Sequence, residues 1–122
     1  MRLQLEQPAG TNLVRAYGPG QLRIGDRTHT SSVIVSATAL IAPWRPTSAL
    51  DLSPTDFEPL LGLAPEVVLL GTGARQQFPH AELLRILYQR RIGIEVMDTS
   101  AACRTYNVLV TEGRNVAAAL IV

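Results

Sequence analysis

Lysine is missing from this chain. All eleven basic side chains counted with it are arginines, the mark of a GC-rich coding bias. The absence removes chemistry: no Schiff base, no pyridoxal phosphate attachment and no phosphate-loop lysine can be built. Cysteine is nearly missing too. A lone Cys103 excludes an internal disulfide framework and a cysteine-rich metal site, and it suits a reducing compartment. The only histidines are His29 and His80. Neither has a histidine four residues on or a Cys-x-x-Cys nearby, so no metal site is indicated. A net charge of +1 offers no electrostatic argument for nucleic acid or an acidic membrane. Long apolar runs are also lacking. None approaches the roughly 20 residues that span a bilayer, and the opening MRLQLEQPAG has no sustained apolar core of the kind a signal peptide needs. The reading is a cytoplasmic protein of a bacterial cell, with no nucleic-acid partner and no membrane insertion.

What is present is an ordinary globular chain. It has 122 residues, 47% of them hydrophobic and 17% charged, enough to bury a core as one domain over residues 1–122 without disulfide or metal. The first third reads as β. NLVRAYG, QLRI and THTSSVIVSATALIA are rich in strand formers, and Gly-Pro-Gly and Gly-Asp-Arg separate them as turns. SSVIVSATALIAPW is expected as one long bent or bulged strand that Pro43 ends. Ser53, Pro54 and Asp56 then open a short helix as N-cap, N1 and N3, with Gly62 just past its end. Glu66 to Leu70 forms a buried strand, and Pro79 to about Arg91 a helix with Leu83, Leu84, Leu87 and Tyr88 on one face. IGIEVM is a strand. DTSAACRTYNVLVTEG is a helix capped by Asp98 or Thr99 and ended at Gly113, with Ala102, Cys103, Tyr106, Leu109 and Val110 as its apolar stripe. NVAAALIV, apolar to the end, is an interior strand. Alternating strands and helices after a β-rich start give an α/β fold: a mostly parallel central sheet, helices packed on it and extra N-terminal strands.

If the strands before Gly71 and Asp98 are parallel neighbours, their carboxyl ends share one edge of the sheet, where open α/β sheets collect ligands. One ends in Gly71-Thr72-Gly73-Ala74-Arg75, the other in Met97-Asp98-Thr99-Ser100. That edge is the candidate site for a small anion, a phosphate or carboxylate. Gly71, Thr72, Gly73, Arg75, Asp98, Thr99, Arg104 and Asn107 are its candidate residues; Arg75, Arg104 and Arg114 either gather near the edge to hold the anion or stand as surface arginines paired with Glu112 or solvent. A nucleotide cradle is excluded. The third glycine of a dinucleotide fingerprint is replaced by Gln76, the helix begins only near Pro79, and there is no Gly-Lys. Asp98 as a general base competes with Asp98 as an N-cap, whose charge suits the positive end of a helix dipole. Cys103 as a nucleophile competes with a packed, inert thiol. There is no nucleophile elbow, and no catalytic constellation is complete. Trp44 reads as a corner plug. Asn107, polar in mid-helix, satisfies a buried partner or lines a pocket.

The second half carries a longer pattern. VVLLGTGARQQFP is followed by Gly93–Thr99 (GIEVMDT), Ala102–Asn107 (ACRTYN) and Glu112–Val116 (EGRNV), with Trp44 behind a β segment. This resembles the domain-of-unknown-function family that includes mitochondrial complex I assembly factor three. The resemblance covers most of the chain. It implies a three-layer α/β fold with a mixed central sheet flanked by helices and additional N-terminal antiparallel strands. It also implies a non-catalytic binding or assembly module with a protein partner, no cofactor and no established catalytic residue.

Overall fold

The computed structural model describes residues 10–122; the opening segment read for a signal peptide lies outside them, save Gly10. Three short strands come first: β1 (Val14–Gly18), β2 (Gln21–Ile24) and β3 (Arg27–His29). They form an antiparallel sheet of their own, in sequence order. The turns fall where glycine allows a left-handed backbone, with φ +79° at Gly20 and +59° at Gly25.

The expected long strand is instead two. β4 (Ser32–Ser36) and β5 (Leu40–Trp44) pair antiparallel. The turn between them has neither glycine nor proline. It closes through the Ser36 side chain, whose Oγ accepts the Ala39 N–H at 3.1 Å, and through Asn12, whose amide donates to the carbonyls of Ser36 and Ala39. Pro43 lies inside β5 rather than ending it.

Next, a 3₁₀ turn at Pro54–Phe57 runs into α1 (Glu58–Leu63). Ser53 and Asp56 form the reciprocal capping box. Gly62 sits within α1, and Ala64 ends the helix with φ +48°. The remaining elements are β6 (Val67–Thr72), α2 (Ala81–Gln89), β7 (Gly93–Met97), α3 (Thr99–Thr111) and β8 (Val116–Ile121). β6 runs two residues past Leu70 and takes in Gly71 and Thr72, so the backbone turns only at Gly73, φ +95°.

These strands build a five-stranded mixed sheet ordered β5-β4-β8-β6-β7. β8 pairs parallel with β6 and antiparallel with β4, and β6 pairs parallel with β7. Every residue of β8 is buried, as its unbroken apolar spelling requires of an interior strand. The alternation of side chains along the strands divides two cores between the faces. On one face Val33, Val35, Leu69, Ala118 and Leu120 pack with Ala102, Cys103, Tyr106 and Val110 of α3 and with Val14, Leu22 and Ile24 of the small sheet. On the other, Ile34, Val68, Leu70, Ala117, Ala119 and Ile121 pack with Trp44, Phe57, Leu60, Leu83 and Leu87. The result is three layers, with the small sheet and α3 on one side, α1 and α2 on the other. Trp44 is 5% exposed and donates its indole N–H to the Asp56 carbonyl, a plug at the corner where β5 leaves the sheet.

Candidate functional site

β6 and β7 are parallel neighbours, with Gly71 opposite Met97. The two loops therefore do leave the same edge. What they do there is hold each other. Asp98 is the N-cap of α3, accepting the Ala101 N–H on its carboxylate at 2.8 Å. Thr99, fully buried, donates its hydroxyl to the Ile121 carbonyl and accepts the Gly73 N–H at 2.7 Å. The Thr99 N–H returns to the Gly73 carbonyl. One threonine thus ties the glycine turn, the start of α3 and the end of β8 together.

Thr72 does the same for the loop that follows. Its hydroxyl donates to the Arg75 carbonyl at 2.6 Å, lies 3.2 Å from the Met97 carbonyl and accepts the Gln77 N–H at 3.0 Å. Gln76, standing where a dinucleotide fingerprint has its third glycine, donates to the Val96 carbonyl. Gly71 is needed for space. A β-carbon there would lie 3.0 Å from both Cα and Oγ1 of Thr99 and 3.2 Å from Cβ of Ala102, so glycine lets α3 press against β6.

The expected residues divide into two places. Gly71, Thr72, Gly73, Asp98 and Thr99 form this internally bonded junction, and Arg75 is exposed beside it. Arg104 and Asn107 stand further along α3 and line a different feature. This is a cleft of about 290 Å³ between α3 and β1, bounded by Val14, Arg15, Ala16, Tyr17, Ser100, Cys103, Arg104 and Asn107. No residue of the glycine turn reaches it. Arg114 does not gather with the others: it sits just before β8, at the opposite end of that strand from the junction, with its Nε 3.8 Å from a Glu66 carboxylate oxygen.

In the cleft, Asn107 satisfies a buried partner and lines a pocket at once. Its carbonyl accepts the Val14 N–H at 2.9 Å and its amide donates to the Val14 carbonyl at 2.7 Å, clamping β1 onto α3. Tyr106 adds a bond from its hydroxyl to the Asn12 carbonyl, and burial pushes its phenol well above the usual tyrosine range. Cys103 is buried, and desolvation pushes its thiol up to about 11 against a small opposing pull from Arg104. It is a packed thiol, protonated near neutrality. Tyr17 is raised by partial burial first, then by the neighbouring Cys103 and Asp98. Arg15, Tyr17 and Ser100 had no sequence signal pointing to a common site. Arg15 and Tyr17 stand 85 and 83 positions before Ser100 in the chain, and only the fold brings them together.

This geometry defines a small mixed α/β domain in which the Gly-Thr-Gly and Asp-Thr-Ser segments serve its own junction. The chain belongs to the family described as protein of unknown function (DUF498/DUF598), whose pattern matches residues 14–121. Among its relatives, the zebrafish (Danio rerio) protein named NADH dehydrogenase [ubiquinone] 1 alpha subcomplex assembly factor 3 is 40% identical over 98% of this chain, which spans 68% of that protein. A protein of Francisella tularensis named 13 kDa major membrane protein is 30% identical over 99% of both chains. A crystal structure from Bordetella parapertussis superposes with a TM-score of 0.85 at 38% identity, covering 93% of this chain and 98% of that one. No helix among the described residues is long and apolar enough to cross a membrane.

Proposed function

We propose that this chain is a non-catalytic binding module in the assembly of a multisubunit protein complex, with an NADH dehydrogenase as the first complex to test, and that it works in the cytoplasm. One observation carries the reading. At the sheet edge where an α/β enzyme holds its reacting groups, the hydroxyls of Thr72 and Thr99 and the Asp98 carboxylate are bonded to the protein's own backbone. Groups engaged in this way position loops, and that supports a structural reading of this edge. The name of the zebrafish relative supplies the kind of complex. On this reading, the membrane association in the Francisella name corresponds here to contact through a membrane-bound partner.

The test is deletion of the gene in its source cell, followed by native electrophoresis of detergent-solubilised complexes. The expected result is loss of the mature NADH dehydrogenase band and accumulation of smaller subcomplexes. The wild-type chain should restore the band, and so should Asp98→Asn and Cys103→Ala, since asparagine also caps a helix and the thiol is only packed. Normal assembly in the deletion strain would overturn the assembly role. Failure of a stably folded Cys103→Ala chain to restore it would overturn the non-catalytic reading.

A further inference from the structure

We infer that the cleft between β1 and α3 binds an oxyanion, a phosphate or carboxylate carried on a small organic body, between the guanidinium groups of Arg15 and Arg104. The sequence pointed to the glycine turn and the start of α3 for such a ligand. The structure favours another place, because the Gly73, Thr99 and Ala101 N–H donors at that junction are already bonded, to Thr99 Oγ1, the Gly73 carbonyl and the Asp98 carboxylate. The helix terminus therefore contributes little, and the argument rests on side chains and on the cleft.

Two arginines from different elements line that cleft. Both are exposed, and among the described residues neither forms an ion pair with a carboxylate. Arg104 gives one Nη donor to Ser100 Oγ at 2.7 Å, and a guanidinium has five N–H donors in all. The rest of the Arg104 fork and the whole of Arg15 are available for the bidentate contact that suits planar carboxylates and phosphates. The neighbouring carboxylate is Asp98, whose charge is felt at Tyr17. One negative charge against two positive ones leaves the cleft net cationic.

The clamp from Asn107 to both backbone groups of Val14 fixes the distance between the two walls, so the site does not have to form on binding. The volume of about 290 Å³ is far more than one bare ion needs, given about 30 Å³ for each water in the liquid. Val14, Ala16, Cys103 and the Tyr17 ring supply apolar surface for the body of a ligand, while the Ser100 and Tyr17 hydroxyls supply polar points. This site is independent of the assembly role, and either can fail without the other.

The experiment is a titration of the ¹⁵N-labelled chain with phenyl phosphate, benzoate and phenol, followed by amide and arginine Nε–H shifts. Expected are saturable shifts at residues 15–17 and 100–104 with a Kd of about 1 mM or tighter for at least one of the two anions, and none for phenol. Tighter phenyl phosphate assigns a phosphate; tighter benzoate assigns a carboxylate. Arg15→Ala with Arg104→Ala should weaken binding about tenfold or more, and Arg104→Lys should recover part of it; both positions are exposed, so the fold survives and the spectrum checks it. No saturable shift with either anion, shifts scattered over the other surface arginines, or unchanged binding in the double variant would overturn the inference.

Discussion

Thr99 shows how much one side chain can hold. Its hydroxyl is buried, donates to the last strand and accepts from the glycine turn. Replacing it with the isosteric valine leaves a buried carbonyl and an amide without that partner, at about 1–3 kcal/mol. Thr99→Val should therefore lower the unfolding free energy from urea titration by that amount, while Thr99→Ser, which keeps the hydroxyl, should retain most of the stability. Equal stability of wild type and Thr99→Val would mean that the hydroxyl does not hold the junction. The sequence made Thr99 a ligand candidate because a hydroxyl beside Gly-Thr-Gly at a helix start has the spelling of an anion cradle. Only the fold brings the Ile121 carbonyl within its reach, 22 residues away in the chain. Cys103 was legible for the opposite reason: its helical neighbours Ala102 and Tyr106 fix which face it shares, and that face is core.

At the scale of elements, the caps were legible and one hairpin was not. Ser53-Pro54-x-Asp56 spells a helix start, and the capping box is there. Asp56 also accepts two bonds from Arg45, at 3.0 and 2.6 Å. That pairing, more than the bonds from Ser53, holds the Asp56 carboxyl below the usual carboxylate range in spite of its desolvation. Asp51 is lowered as well, first by the Thr47 backbone N–H and then by Arg45. Folded values below the unfolded one of about 3.9 give stability that is complete above that pH. It is lost as pH falls through the folded values. Urea midpoints should be flat above about pH 5 and fall below about pH 4, and Asp56→Asn should show a shallower acid limb. An acid limb identical to wild type would remove Asp56 from the account. The β4–β5 hairpin escaped notice because Ser-Ala-Thr-Ala carries no turn residue of special backbone freedom. Its closure depends on Asn12, more than 20 residues upstream, and a local reading has no access to such a partner.

Across the whole molecule, stability should be uneven. The small sheet is joined to the rest by few polar ties, chiefly the Asn107 clamp and the Tyr106 bond, whereas β8 is bonded on both sides. Asn107→Ala should speed hydrogen exchange at Leu22 and Ile24 selectively and leave Ala118 exchanging only with global unfolding. Uniform acceleration would show that the small sheet does not open by itself. The layered architecture could be read from the order of strands and helices, but the candidate site could not be placed: the β1–α3 cleft is made of residues from the two ends of the described chain, and nothing in either spelling announces the other. The position of β8 also bears on how the protein is made. Among the described residues it is the one strand shared by the β4–β5 hairpin and the β6–α2–β7 unit, and it follows both in the sequence. Until β8 is made, the two halves have no strand to join them, and the facing edges of β4 and β6 are without the partner they share. The five-stranded sheet therefore cannot close until β8 has been made, so its completion follows, and does not accompany, the synthesis of its other four strands.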